Sequence, residues 1–503
     1  AEKFGIDVYA YSYMKSRLHP DDEGAEEFYD GLYGNLFRKC PGFKGVVLVG
    51  ESVGFPSRDT HVSPNAIRSA DGIPFTKTRP GWWPCYDYPQ WLECVKKSVR
   101  GHKPDADIVF WTYNWGYVDE EARVELIKNL PTDISLMATF EMFESYKHGS
   151  ITTTVADYSL AFAGPGHYFS TEAKAAKERG IRLYSMTNTG GLTWDFGTIP
   201  YEPMPYQWMK RYHGMREAND KYGLCGTMES HHFGFFPSFV SDLAKQCFIK
   251  ENSSLEDNLT QVIKMHFGGR DAGKIKEALK SFSNAITCYT PTDADQYGAF
   301  RCGPAYPLCL IKAIKPPSEA FAHFGNCILE VDYPADYSAN NALPCGRGML
   351  PVLRIEGELE LLGKMLEYMK DGVKILNELE NPCEELLYLI NLGKYITHCI
   401  VTGIHAKEWY ITVSKLKSEM CRDKVTELIE EAERIILSEK ENALAAIPIV
   451  EKDSRLGWEP SMDYIGDREH IEWKLRHLDY VLQYELGCYK KASDDKWFDK
   501  TQV

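Results

Sequence analysis

Two carboxylates stand where buried, strand-like runs stop. Glu51 follows GVVLVG at once, and Glu141 follows DISLMATF, with Glu144 three positions later. A carboxyl at the end of a strand covered on both faces is desolvated, which favours its protonated form near neutral pH. A partner carboxylate in a more solvated loop stays ionised. An acid and an ionised partner on either side of a C–O bond are what acid-assisted glycosidic cleavage requires. In this reading Glu51 is the acid, and Glu141 or, as second choice, Glu144 is the base or nucleophile. Ordinary pairing is the competing account: Glu51 with Arg58, and Glu144 with Lys147 or a helix start.

Aromatic and amide side chains gather at the same kind of position. In IVFWTYNWGY, period two puts Trp111, Tyr113 and Trp115 on one side of a strand and Thr112 and Asn114 on the other. TNTGGLTWDFG adds Asn188, Trp194 and Asp195 after another strand, and YGLCGTMESHHFGFFPS adds Glu229, His231 and His232. Sugar rings offer apolar C–H faces and many hydroxyls, so indoles beside hydrogen-bonding groups suit a carbohydrate, although aromatic core packing accounts equally well for any one of them. Adjacent histidines in an extended chain point apart and rarely share a metal, so no metal is expected. Arg58, Glu229, His231 and Tyr306 complete the expected substrate contacts.

The bulk numbers agree. The chain has 503 residues, 44% hydrophobic and 13% aromatic, with net charge −15. An acidic chain of this kind is a poor match for nucleic acid, and no apolar run reaches membrane-spanning length. No dinucleotide fingerprint or phosphate loop follows an early strand, so no cofactor is expected. The scattered cysteines fit reduced thiols and a cytoplasmic location. The start at Ala1, without Met, leaves room for a removed leader or a missing N-terminal piece.

The elements that must position these residues alternate. FGIDVYAYSY, GVVLVG, ADIVFWTYNW, DISLMATFE, IRLYSMTNTGG and YGLCGTMES read as six strands. Helical patterns lie between them, including residues 26–39, YPQWLECVKKSVRG, DEEARVELIKNL and STEAKAAKERG, the last with Ser170 or Thr171 as N-cap. YSLAFAGPG is a further candidate strand. Alternation of this kind makes parallel βαβ units, and polar residues after nearly every strand favour a (β/α)8 barrel over an open doubly wound sheet. A barrel needs two more strands than these six, so the first strands are expected to be missing from this chain. The expected organisation is a barrel over 1–250, an irregular region capping its mouth over 251–350, and an α-helical domain over 351–503. In the middle region QYGAFRCGPAYPLC is expected to line the pocket through Tyr297, Arg301 or Tyr306. The helical half carries long i, i+3, i+4 apolar patterns and is the expected surface for a homodimer.

The motif order GIDVYAYSY, GVVLVGESVGFPS, DIVFWTYNW, ATFEMFE, YSMTNTGGLTWD, GTMESHHFGFFPS resembles the barrel of family-20-like glycoside hydrolases. It is also similar to the barrel of family-67 α-glucuronidases, and the helical half looks like the one following such barrels in a bacterial group of glycosidase-like proteins. The resemblance implies an exo-acting, hexosaminidase-like hydrolase of O-glycosidic bonds, with Glu51 matching the general acid and Glu229 the sugar-hydroxyl acceptor. Family-20 hexosaminidases carry an Asp just before the acid, where it orients the acetamido group of the substrate; Gly50 stands here, which sets substrate assistance in doubt. An α-glucuronidase would need a cation for the uronate, and Arg58 is the candidate. A non-catalytic carbohydrate-binding protein on the same scaffold is the rival from another class; it would need only one of Glu51 and Glu141.

Overall fold

The computed structural model describes residues 1–54, 57–58, 85–155, 157–230, 236–249, 253–318, 349–460 and 463–492. The chain divides into two compact units that interleave along the sequence. The first comprises Ala1–Glu144, Gly164–Thr187 and His213–Met228; the second comprises Ser145–Ala163, Asn188–Tyr212 and Glu229–Val503. The boundary expected at 250 is thus not where the units part, because two loops that follow strands pack into the helical unit.

The first unit is built on six strands: β1 (Val8–Lys15), β2 (Phe43–Gly54), β3 (Asp107–Trp111), β4 (Ser135–Thr139), β7 (Arg182–Met186) and β8 (Leu224–Met228). They pair in parallel in the order β1-β2-β3-β4-β7-β8, which is chain order with no reversal. A doubly wound sheet would reverse its order at a switch point, so that alternative fails. The inner strands β3 and β4 are buried along their whole length, as their unbroken apolar runs require. The flanking strands are open instead: Val8 and Tyr11 of β1 are 37% and 40% exposed, and β8 alternates in burial.

The sheet is curled. Tyr9 of β1 and Tyr184 of β7 both donate to Oδ2 of Asp107 at the start of β3, at 3.2 and 3.0 Å, while Ser135 of β4 donates to Oδ1 at 2.7 Å. With neighbouring strands about 4.8 Å apart, β1 and β7 would stand roughly 19 Å apart in a flat sheet. Their phenols meet one oxygen because the face they share is concave. Glycines keep the crossing clear: a Cβ at Gly45 would strike the Tyr9 ring, and one at Gly226 the Tyr184 ring, at 2.8 and 2.7 Å. Burial raises the pKa of both phenols, with the Asp107 charge adding to it.

Helices follow the strands as the apolar spacing predicts. Tyr88–His102 buries Trp91, Leu92, Val95 and Val99 on one stripe. The stretch expected as one helix over 26–39 is Ala25–Tyr29 and Asn35–Lys39 joined by a π turn, Asp30–Gly34. His167–Arg179 starts earlier than expected, with Gly166 as N-cap, so Ser170 and Thr171 lie inside it.

In the second unit, YSLAFAGPG is not a strand; it is irregular and mostly buried. The sequence reading passed over a small hairpin just before it, β5 (Ser145–His148) with β6 (Ile151–Thr154). The tract expected to be irregular over 251–350 begins with two regular helices, Leu255–Phe267 and Ala272–Ile286. QYGAFRCGPAYPLC then folds into the short helix Ala299–Cys302 and the turn Gly303–Ala305. Long helices Met349–Asn377, Glu384–Ser418 and Arg422–Lys452 follow, then Arg468–Tyr480. Among the described residues no helix is long and apolar enough to cross a membrane.

Candidate functional site

All six strands of the first unit point the same way, so their C-terminal ends share one end of the sheet. Register pairs Val49 with Trp111 and Trp111 with Met137. Glu51 lies two positions beyond Val49 in β2, and its side chain is outside the described residues. Gly50, where the hexosaminidase pattern has Asp, is explained by its neighbour: a Cβ there would overlap the Trp115 indole, whose Nε1 donates to the Gly50 carbonyl at 3.2 Å.

Trp111 and Tyr113 do share a side, with ring centroids 5.3 Å apart, and Tyr11 meets Trp111 edge-on at 6.3 Å. Trp115 does not join them. The strand ends at Trp111, Asn114 takes φ 66°, and the turn Trp115–Tyr117 begins, so alternation stops. Trp115 packs with Tyr88 and Phe110 instead. Asn114 is among the few non-glycine types that tolerate the left-handed region.

A buried network holds this turn. Thr112 Oγ1 donates to Glu172 Oε2 at 2.6 Å, Arg123 Nη1 pairs with Glu172 Oε1 at 3.1 Å, and Tyr168 donates its hydroxyl to the Thr112 carbonyl. Burial pushes the Glu172 carboxyl up, against the Arg123 charge and the Thr112 hydroxyl. Neither Glu172 nor Arg123 stood out in the sequence, since both lie in ordinary amphipathic helices.

Glu141 follows β4 and is fully buried. The expectation that the partner carboxylate would occupy the more solvated place is therefore not met. Glu144 is committed elsewhere: its Oε2 accepts the backbone N–H of His167 at 2.6 Å and so caps that helix from outside. Arg58 is exposed and pairs with Asp21 at 3.4 Å and with Asp22.

In the second unit the segment 191–205 is buried at every position although it carries no helix or strand until Pro205. Asn188 opens the loop at φ 53°; it is fully buried, and neither its amide nitrogen nor its oxygen has a hydrogen-bond partner in the described structure. The Glu202 N–H donates to the Gly191 carbonyl at 2.7 Å, which folds the loop back on itself. Oε1 of Glu202 accepts from the Thr193 N–H at 2.9 Å and from the Thr193 hydroxyl at 2.5 Å. Oε2 is buried without a hydrogen-bond partner. Asp195 accepts from Ser159 Oγ at 3.0 Å, Leu160 N at 2.6 Å and Gln296 Nε2 at 3.4 Å.

These two acids are fully buried and electrostatically coupled. Desolvation raises Asp195 to about 6. Desolvation, then the Asp195 charge, raises Glu202 to about 8. Arg211, also buried, opposes both shifts while donating to the carbonyls of Ser159, Phe162 and Ala163 at 2.5, 3.1 and 3.0 Å. Glu202 was missed because YEPMP has no strand-end or motif signal.

Trp194 is boxed rather than open. Arg301 lies 4.8 Å above its ring, and the Tyr297 and Tyr158 rings stand 5.3 and 6.3 Å away. Arg301 is itself buried against Glu459 at 2.5 Å, and Tyr297 donates to Asp157 at 3.3 Å. Tyr306 is buried. The Gly- and Pro-rich tract is thus packed interior; a Cβ at Gly197 would overlap the Arg301 backbone. Glu229 is exposed, with its carbonyl accepting from Gly190 N at 2.9 Å. His231 and His232 lie outside the described residues, and among those described no group of acids, histidines and cysteines has the makings of a metal site.

No family model matches this chain, and no curated protein matches it. Among solved structures, a GH138 enzyme targeting pectin rhamnogalacturonan II is similar at TM-score 0.53 and 10% identity, covering 98% of this chain and 70% of that one. This is a likeness of fold. A mutant of the Thermobaculum terrenum O-GlcNAc hydrolase aligns over 97% of this chain and 82% of its own at 13% identity, but at TM-score 0.34 it bears no weight.

Proposed function

We propose that the chain is a glycoside hydrolase whose first unit is the curled parallel sheet of a (β/α) barrel, with its reaction centre at the C-terminal strand ends. The observation that carries the reading is Glu141: a fully buried carboxylate two positions after β4, in a sheet whose next strand but one carries Glu51 past its own core run. The fold likeness to a GH138 enzyme supports it. Glu51 protonates the departing glycosidic oxygen, since an alkoxide leaves poorly, and Glu141 serves as base or nucleophile. Trp111 and Tyr113 are 0% and 2% exposed, so they pack as core behind the strand ends and offer no open face to a sugar. Glu144 drops out of the pair because it caps a helix.

The specificity reading narrows. With Trp115 against Gly50, nothing at that position orients an acetamido group, so the enzyme is hexosaminidase-like in the address of its acid and not in substrate assistance. Arg58 answers Asp21 and Asp22, which removes the main support for the α-glucuronidase alternative. The test is a panel of aryl glycosides hydrolysed by the wild type, Glu51→Gln and Glu141→Gln. Turnover of at least one glycoside, cut about 10²-fold or more by either substitution, is expected. Sugar binding without turnover by the wild type would move the protein to the non-catalytic class.

A further inference from the structure

Acids outnumber bases in this chain by 72 to 57, yet one groove reverses the balance. It lies between the helices Met349–Asn377 and Glu384–Ser418, encloses about 420 Å³, and is lined by Lys370, Lys374 and Lys394 together with Val373, Asn377 and Thr397. None of the three ammonium groups is paired with a carboxylate among the described residues. Glu378 is the only acid in the lining, and it stands four positions after Lys374, the less favourable order for a helical pair. His398 also lines the groove. Its Nδ1 contacts Asn442 Oδ1 at 2.8 Å, and burial lowers its pKa, so it adds no charge at neutral pH.

Lys370 and Lys374 are four apart on one helix face and repel each other, an arrangement that costs a helix stability. Acids stand beside these lysines along the chain, Glu367, Asp371 and Glu378 as Glu360 stands beside Lys364 at 2.8 Å, but of them only Glu378 lines the groove. Three cations and one acid thus share the trough with Val373, an amide and a hydroxyl. The cations are separate point charges, with no arginine fork and no helix N-terminus among them, which suits single carboxylates spaced along a chain better than densely charged phosphates. Asn377 and Thr397 suit hydroxyl groups between them.

We propose that this groove binds a carboxylate-bearing polysaccharide, holding uronate groups on Lys370, Lys374 and Lys394 as an accessory site. The proposal rests on the carbohydrate reading given above. It is tested with the full chain by affinity electrophoresis in gels containing polygalacturonate, dextran sulfate, neutral galactan or poly(U) RNA. Polygalacturonate is expected to retard the wild type and galactan is not. The triple variant Lys370→Gln, Lys374→Gln, Lys394→Gln should bind about tenfold more weakly, and salt should weaken the wild type alone, as for exposed charge pairs. Its melting temperature should stay close to the wild type, because the loss of the Lys370–Lys374 repulsion offsets the loss of Lys374 from the last helical turn. Glu51→Gln should be retarded like the wild type, so loss of hydrolysis and loss of groove binding are read separately. Absence of retardation by polygalacturonate, equal retardation of the triple variant, or a preference for dextran sulfate or RNA would overturn the proposal.

Discussion

Replacing Glu202 with Gln should stabilise the protein at alkaline pH while changing little at acid pH. The folded Glu202 carboxyl is raised from 4.5 to about 8, first by burial and then by Asp195. Between those two values the folded protein keeps a proton that the unfolded chain has released. The stabilisation is therefore complete below about pH 4.5 and is lost as pH rises through about 8. At about 1.4 kcal/mol per unit, the full shift corresponds to roughly 5 kcal/mol, an upper figure because the proton is shared with Asp195. Half of that, at about 1–1.5 °C per kcal/mol for a protein of this length, is a loss on the order of 2–4 °C. Gln keeps the oxygen that accepts from Thr193 N and Oγ1 and cannot ionise. Thermal unfolding followed by circular dichroism at pH 5 and pH 9 should show the wild type falling by more than the variant over that interval, by about this amount. Parallel pH profiles for the two proteins would refute the reasoning, as would a wild type more stable at pH 9 than at pH 5.

Gly50→Ala should cost about 1–3 kcal/mol by chemical denaturation, because its Cβ must displace the Trp115 indole; a neutral result would mean that the indole yields freely. Glu172→Ala leaves Arg123 buried without its partner and should cost about 3–5 kcal/mol, with Arg123→Met/Glu172→Met recovering much of the loss in the same assay. Tyr9→Phe and Tyr184→Phe should each cost about 0.5–1.5 kcal/mol. Their effects should be non-additive by equilibrium unfolding, since both phenols use one oxygen of Asp107; strict additivity would separate them.

The strands were legible because β3 and β4 are short, mostly apolar runs stopped by turn residues, and chain-order alternation already implied parallel pairing. The curl was not, since nothing local says that Tyr9 and Tyr184 will reach one carboxylate 98 and 77 residues away in the chain. Period two correctly joined Trp111 to Tyr113, then failed at Trp115, because the left-handed Asn114 ends the extended chain and no pattern marks that event. The hairpin SYKH/ITTT carries too few apolar positions to signal strands, and the helices over 255–267 and 272–286 were overlooked beside a tract rich in Gly and Pro. Glu141 is marked in the sequence only by its place after a strand. Glu144 had the same local appearance, and only the tertiary approach of the His167 N–H separates the two. Asp195 was singled out for substrate, yet its lone pairs meet Ser159, Leu160 and Gln296, from a loop and a helix remote in sequence. Glu202 could not be found this way, because its burial is created by the fold of the whole 188–204 segment.

The most direct test of the central claim is the leaving-group dependence of hydrolysis in Glu51→Gln. If Glu51 protonates the departing oxygen, aryl glycosides with acidic phenols should lose little turnover, while those with basic leaving groups lose about 10²–10⁴-fold. The plot of log rate against leaving-group pKa should become steeply negative in the variant. A loss of the same size across the whole series would contradict the assignment, and a steep slope appearing in Glu141→Gln instead would exchange the two roles.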